Sequence, residues 1–207
     1  MKKQHAMVRL FALALAGWAL AGNAMADKIS DRVSNSTEVY LELIDAKDQG
    51  VPRGLLEKCE CVAVLPGVKK GAFGVGGRHG KGIVSCRDDS GNWSPPAFLT
   101  LTGGSFGFQI GGSSTDLVLF MMSERGAKSL LDSNFKLGGD ASVAAGPVGR
   151  TAEASTDIKL NADVYAYARA KGLFAGVAVD GASLRRDGKA VRSYYGQDLK
   201  LKQILFD

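Results

Sequence analysis

The stretch GGSFGFQIGG (Gly103–Gly112), followed at once by SSTDLVLFMM (Ser113–Met122), decides how the chain is read. In its first half the bulky residues Phe106, Phe108 and Ile110 alternate with Ser105, Gly107, Gln109 and Gly111. That is the two-residue repeat of a strand with one core-building face and one nearly flat face. In its second half Thr115–Met122 is apolar on both faces, as a central strand covered on two sides requires. Strands so rich in glycine are weak on their own, so the glycines are expected to mark bends, close backbone approach or a barrel-like closure.

Working towards the N-terminus, short apolar runs broken by glycine and proline continue the pattern of strand and turn. CVAVLPG reads as a strand stopped by Pro66-Gly67, GAFGVGG and GKGIVSCR as two strands joined across Arg78-His79, and Asp88 to Pro96 as a loop. Before them, Lys28 to Lys47 carries Ile29, Val33, Tyr40, Leu43 and Ile44 at three- and four-residue spacing, which predicts an amphipathic helix. It is read either as docked on the core or as lying on a membrane surface. A short second helix is expected from Pro52 through Leu55 and Leu56.

Towards the C-terminus, SERGAKSLLDS predicts a helix capped by Ser123 with Ala127, Leu130 and Leu131 inward. GGDASVAAGPVGR, TAEASTDIKL, ADVYAYARAKG and LFAGVAVDG read as further strands, and Gln197 to Phe206 as a last helix through Leu199, Ile204 and Leu205. The fold class is α+β. It is expected to be one glycine-rich, mainly antiparallel β domain, barrel-like or sandwich, flanked by a few helices that include the N-terminal amphipathic one.

Residues 1–26 read as a cleaved signal peptide: Lys2, Lys3 and Arg9, an apolar run from Leu10 to Ala21, and small residues at Ala24 and Ala26. The apolar run falls short of the roughly 20 residues of a membrane span, and no cysteine follows it to carry a lipid. A single domain over 27–207 is expected to be exported, to the periplasm or the outer membrane. The leader's three cations account for +3 of the formal net charge of +5, leaving +2 for the rest. Any anion binding must then come from local clusters, and nucleic acid is not an expected partner.

The glycine run GAFGVGGRHGKG (Gly71–Gly82) resembles a phosphate loop only superficially. A Walker loop would place its first glycine at Val75 and its hydroxyl residue at Gly82, and a dinucleotide pattern from Gly74 ends on His79. No nucleotide is expected. His79 is the only histidine after residue 26, which leaves neither a catalytic triad nor a zinc site, so no enzyme activity, metal or cofactor is expected. Of three cysteines in an oxidising compartment, Cys86 is expected to pair with Cys59 or Cys61, with Cys61 preferred and one thiol left over. Basic residues gather near predicted turns at Lys69, Lys70, Arg78, Lys81, Arg185 and Arg186, with Lys189 beyond. Near an anionic lipid surface each contributes about 1 kcal/mol.

The segments Ser94–Phe120, AAGPVGR (Ala144–Arg150), KGLFAGVAVDG (Lys171–Gly181) and YYG (Tyr194–Gly196) resemble the SYLF domain family, and GVGGRHGKG is similar to its early glycine-rich hairpin. The similarity runs from about Ser30 to Gly196. The resemblance implies a module without catalysis that binds acidic lipids, described also as actin-binding in yeast members. It further implies that binding uses an N-terminal amphipathic helix with a basic surface, here Lys28 to Lys47 and the six lysines and arginines above. The expected function is phospholipid or membrane-surface binding in the bacterial envelope. The alternative is a structural or protein-interaction module there, with an envelope protein as partner and no lipid.

Overall fold

The computed structural model describes residues 27–46, 51–73, 75–88, 90–106, 111–148, 161–170 and 172–207. The signal-peptide reading of 1–26 and the strand reading of 151–160 lie outside these residues, as do Phe108 and Ile110. Helix α1 covers 27–45, and the remaining helices are α2 (Arg53–Lys58), α3 (Glu124–Ser129), α4 (Gly188–Tyr195) and α5 (Leu201–Leu205). The strands are β1 (Cys61–Phe73), β2 (Val75–Cys86), β3 (Ala97–Phe106), β4 (Gly111–Met121), β5 (Phe135–Lys136), β6 (Val143–Ala145), β7 (Val164–Ala170), β8 (Leu173–Gly176) and β9 (Ala182–Arg186).

One sheet joins all of them in the order β5-β9-β3-β2-β1-β4-β7-β6, with β8 also on β7. It curls into a half-barrel, the barrel-like form of the expected α+β fold. Every pair is antiparallel except β6 with β7. The sheet is apolar on both sides. Ala63, Leu65, Val84, Leu101, Leu117, Leu119 and Leu184 pack on one face with Ala127 and Leu130 at α3, Ala190 and Val191 of α4, and Leu201 and Ile204 of α5. Val62, Val64, Val118, Phe120, Tyr165 and Tyr167 pack on the other with Val39 and Leu43 of α1 and Leu55 of α2. The unbroken apolar run of β4 serves both faces in alternation, which is why it shows no polar side.

Three sequence readings of the sheet change. First, Pro66-Gly67 does not stop β1. The strand runs on to Phe73, and its register with both β2 and β4 shifts between Leu65 and Val68. Gly67 takes φ 58° and donates its N–H to Asp116 Oδ1 at 2.8 Å, so a side chain 49 residues away holds the bulge. Second, the turn between β1 and β2 is not at Arg78-His79. These residues lie inside β2 opposite Lys70 and Lys69, and the strands meet at Phe73 opposite Val75. Third, GGSFGFQIGG is not one strand. β3 ends at Phe106 opposite Val75, and β4 starts at Gly111 opposite Ala72.

The glycines of β2 answer a packing demand. A Cβ on Gly82 would lie 2.0 Å from the carbonyl oxygen of Val64 and 2.7 Å from Leu65 Cα, so the bulged backbone of β1 rests where a side chain would stand. Ser123 caps α3 as expected, its Oγ accepting from Gly126 N. Leu131, however, is exposed rather than inward. Cys61 and Cys86 face each other across β1 and β2 and are joined as a disulfide, while Cys59 is buried and free.

Candidate functional site

Helix α1 is docked on the sheet through Ile29, the partly buried Val33, Ser36, Val39 and Leu43, a three- and four-residue repeat. Leu43 is fully buried, and such a side chain contributes about 1.5–3 kcal/mol. Ile44 faces outward with Leu41. Two ion networks fix the helix. Glu42 pairs with Arg169, whose Nε lies 2.7 Å from Asp116 Oδ2, and so ties α1 to the carboxylate that holds the β1 bulge. At the other end Arg32 lies 3.1 Å from Asp187 Oδ2 and 5.6 Å from the Phe98 ring centroid.

Asp187 also receives Lys81 Nζ at 3.1 Å, and its Oδ1 accepts from Ala190 N at the start of α4. Burial opposes its ionisation. The Ala190 N–H, Lys81 and Arg32 outweigh burial and hold the carboxyl below the usual carboxylate range.

Between the first turns of α1 and the sheet opens a cleft of about 430 Å³, lined by Lys28, Asp31, Arg32, Asn35, Lys69, His79 and Lys81 together with Pro66, Gly67 and Gly80. Lys69 and His79 are direct cross-strand partners on one face, and Lys81 follows two residues along β2 on that face. Arg32 and Lys81 share Asp187. Lys28 and Lys69 make no ion pair among the described residues, so the cleft keeps a positive surplus over Asp31.

Further along α1 lies a second, smaller slot of about 190 Å³ between Ser36, Thr37, Tyr40, Val62, Val64, Ile83, Ser85 and Trp93. Burial, with Cys59 adding to it, raises the Tyr40 phenol above its ordinary value, so it stays neutral there. On the opposite flank of α1 an open trough of about 980 Å³ is rimmed by Glu38, Glu42 and Asp45 with Arg169.

The six basic positions expected from sequence do not form one patch. Lys69 and Lys81 meet in the cleft. Lys70 and Arg78 oppose each other on the far face of the same two strands. Arg185 donates from Nε to Asn134 Oδ1, and Arg186 is engaged by Asp198 and the Leu199 carbonyl. The sequence reading held Lys28 and Arg32 only within the amphipathic helix Lys28 to Lys47, and did not count His79 among the binding residues. The signal for the first two was their four-residue spacing, which puts both on one helix face. α1 itself, with Asp27, Asp31, Glu38, Glu42 and Asp45 against Lys28 and Arg32, is acidic overall. No helix among the described residues is long and apolar enough to cross a membrane.

Residues 102–207 match the family described as "Ysc84: Las17-binding protein actin regulator". The chain is 38% identical over 161 residues to the "SH3 domain-containing YSC84-like protein 1" of Xenopus laevis, covering 77% of this chain and 48% of that protein. It is 36% identical over 161 residues to "Protein YSC84" of Saccharomyces cerevisiae, covering 76% of this chain and 34% of that one. Against the human "SH3 domain-containing YSC84-like protein 1" identity is 36% over 160 residues, 77% of this chain and 46% of that one. The chain thus spans about a third to a half of the length of the curated relatives it matches.

Proposed function

From the premise that the chain belongs to the Ysc84, or SYLF, family, we propose that it is a non-catalytic lipid-binding protein of the bacterial envelope. It is exported by its N-terminal 26 residues and binds phospholipid or an anionic membrane surface. The observation that carries this reading is the cleft beside α1. There Lys28, Lys69, Lys81 and His79 stand together, and the next residues along α1, β1 and β2 line an apolar slot. An amphiphile with an anionic head and an apolar body is the ligand whose two parts match those two surroundings. Lys69 and Lys81 are the binding residues kept from the sequence reading, and Lys28 and His79 join them.

A second reading is a protein-interaction module of the envelope. It is favoured by the description of the family, which names Las17 binding and actin regulation, and by the acidic trough on the other flank of α1, which suits a basic partner.

Co-sedimentation with anionic and neutral vesicles at two salt concentrations tests the first reading. Anionic vesicles are expected to bind, more weakly at high salt. At about 1 kcal/mol per charge, Lys28→Glu with Lys69→Glu costs at least about 30-fold in affinity, while Lys70→Glu, on the opposite face, costs little. Absence of binding to either vesicle, or an equal loss from Lys70→Glu, overturns it.

A further inference from the structure

Ser36 is the one fully buried polar residue of α1. Its Oγ has no hydrogen-bond partner among the described residues, although an unsatisfied buried hydroxyl is costly and calls for an explanation. It stands on the helix face shared by Arg32 and Tyr40, four residues to either side. Arg32 lines the basic cleft, Tyr40 lines the apolar slot, and Ser36 itself lines the slot. Four residues of helix rise about 6 Å. Cation, hydroxyl donor and apolar slot therefore follow one another in a row about 12 Å long.

The sheet repeats this order opposite the helix. On one face of β2 the residues run His79, Lys81, Ile83, Ser85, from the cleft into the slot. On β1 they run from Lys69 past the bulge to Val64 and Val62.

Resting on the lipid-binding reading above, we propose that the slot takes a single acyl chain of an anionic lysophospholipid. The phosphate would sit among Lys28, Lys69, His79 and Lys81, the ester carbonyl would accept a hydrogen bond from Ser36 Oγ, and the chain would lie against Tyr40, Val64, Ile83 and Trp93. The slot's size selects one chain. A methylene needs roughly the 30 Å³ of a water, so about 190 Å³ holds about six carbons. A second chain, or the side chains of a docked protein segment, would not fit beside it. The order of groups also selects the class, since a fatty acid would carry its charge to Ser36 and leave the cations beyond it unused.

The test is titration of the full chain with monoacyl glycerol phosphates of four to twelve carbons, with glycerol phosphate as the chainless arm. Calorimetry reports binding in every variant, and where no tryptophan has been introduced the fluorescence of Trp93 in a Trp18→Phe background reports occupancy as well, since these are the only two tryptophans. Affinity is expected to rise about fourfold per carbon until the slot is full and then to level off. Ile83→Trp, which fills the slot, flattens that dependence. So does Thr37→Trp, at an exposed position of α1 that puts little of the fold at risk.

Ser36→Ala weakens the ester about fivefold and leaves the ether analogue, which lacks the carbonyl, unchanged. Binding independent of chain length and equal to that of glycerol phosphate overturns the slot while the headgroup reading stands. A chain-length dependence that survives both tryptophan variants overturns the slot equally. Absence of binding by glycerol phosphate, the acyl series and anionic vesicles alike sinks the lipid reading and the slot with it.

Discussion

Replacing Asp187 with Ala removes the carboxylate that Arg32 of α1 and Lys81 of β2 share at 3.1 Å each, together with the cap on Ala190 N at the start of α4. The three losses differ in size. A lost cap costs about 1 kcal/mol. Lys81 is 50% exposed, so its pair contributes no more than about 1 kcal/mol. Arg32 is only 12% exposed, and leaving a charge so buried without its partner costs about 3 kcal/mol, the lower end for a buried pair.

The expected loss is therefore about 4 kcal/mol. At about 2–4 °C per kcal/mol for a chain of this size, the thermal midpoint falls by roughly 8–16 °C. Lys81→Ala should lower it by about 4 °C at most. The pH dependence follows from the depressed carboxyl of Asp187. Its stabilisation is present in full above the unfolded carboxylate value of about 3.9 and is lost as pH falls below that, through the lower folded value. Asp187→Asn keeps a good cap but not the charge, so the gap between it and the wild type should shrink as the pH drops below about 4. Thermal unfolding followed by circular dichroism from pH 7 to pH 3 measures both effects. Equal losses in Asp187→Ala and Lys81→Ala, or a gap that widens below pH 4, would refute the assignment of Asp187 as the joint between helix and sheet.

Two further outcomes follow from the glycine and cysteine positions. Gly82→Ala should destabilise by about 3 kcal/mol or more, since the added Cβ meets the backbone of Val64 and Leu65 rather than a side chain that can turn away. Gly71→Ala, with open space at its Cβ, should be neutral or gain up to about 1 kcal/mol in thermal or urea unfolding. Thiol titration in denaturant without reductant should count one free cysteine, and a count of three would refute the Cys61–Cys86 bond. In the folded protein that thiol should resist alkylation, because burial raises Cys59 to about 11. Reduction should cost about 3 kcal/mol, from the 25-residue separation of the bonded pair.

What the sequence discloses here is local. The apolar run of β4, the Ser123 cap and the stripe of α1 can each be read because the residues that decide them lie within a few positions of one another. The continuation of β1 through Pro66-Gly67 cannot be read this way, since the group that satisfies Gly67 N belongs to Asp116. α4 was missed for a similar reason: Asp187-Gly188 reads as a turn, yet Asp187 caps a helix and binds two distant cations. Likewise, Arg78-His79 between glycines looks like a turn until it is known that Gly82 is needed to receive the bulge.

The bulge also decides which lysine faces the cleft. Before it, Val62 and Val64 point to the α1 side, so strict alternation would carry Lys70 there and Lys69 to the far face. The extra length at Pro66-Gly67 reverses the parity. Val68 then joins the opposite core, and Lys69 enters the cleft beside His79. A basic pair adjacent in sequence is thereby split between the two faces of the sheet. Because α1 is itself acidic overall, the positive charge of the cleft comes largely from the sheet, with the helix adding Lys28 and Arg32 at its first turns. The amphipathic helix accordingly serves less as a basic membrane anchor than as one wall of a groove. Because the bulge is a single extra residue, a variant that deletes Pro66 resumes regular alternation with Val68 still towards the opposite core and Lys69 still in the cleft, so its preference for anionic vesicles is expected to match that of the wild type.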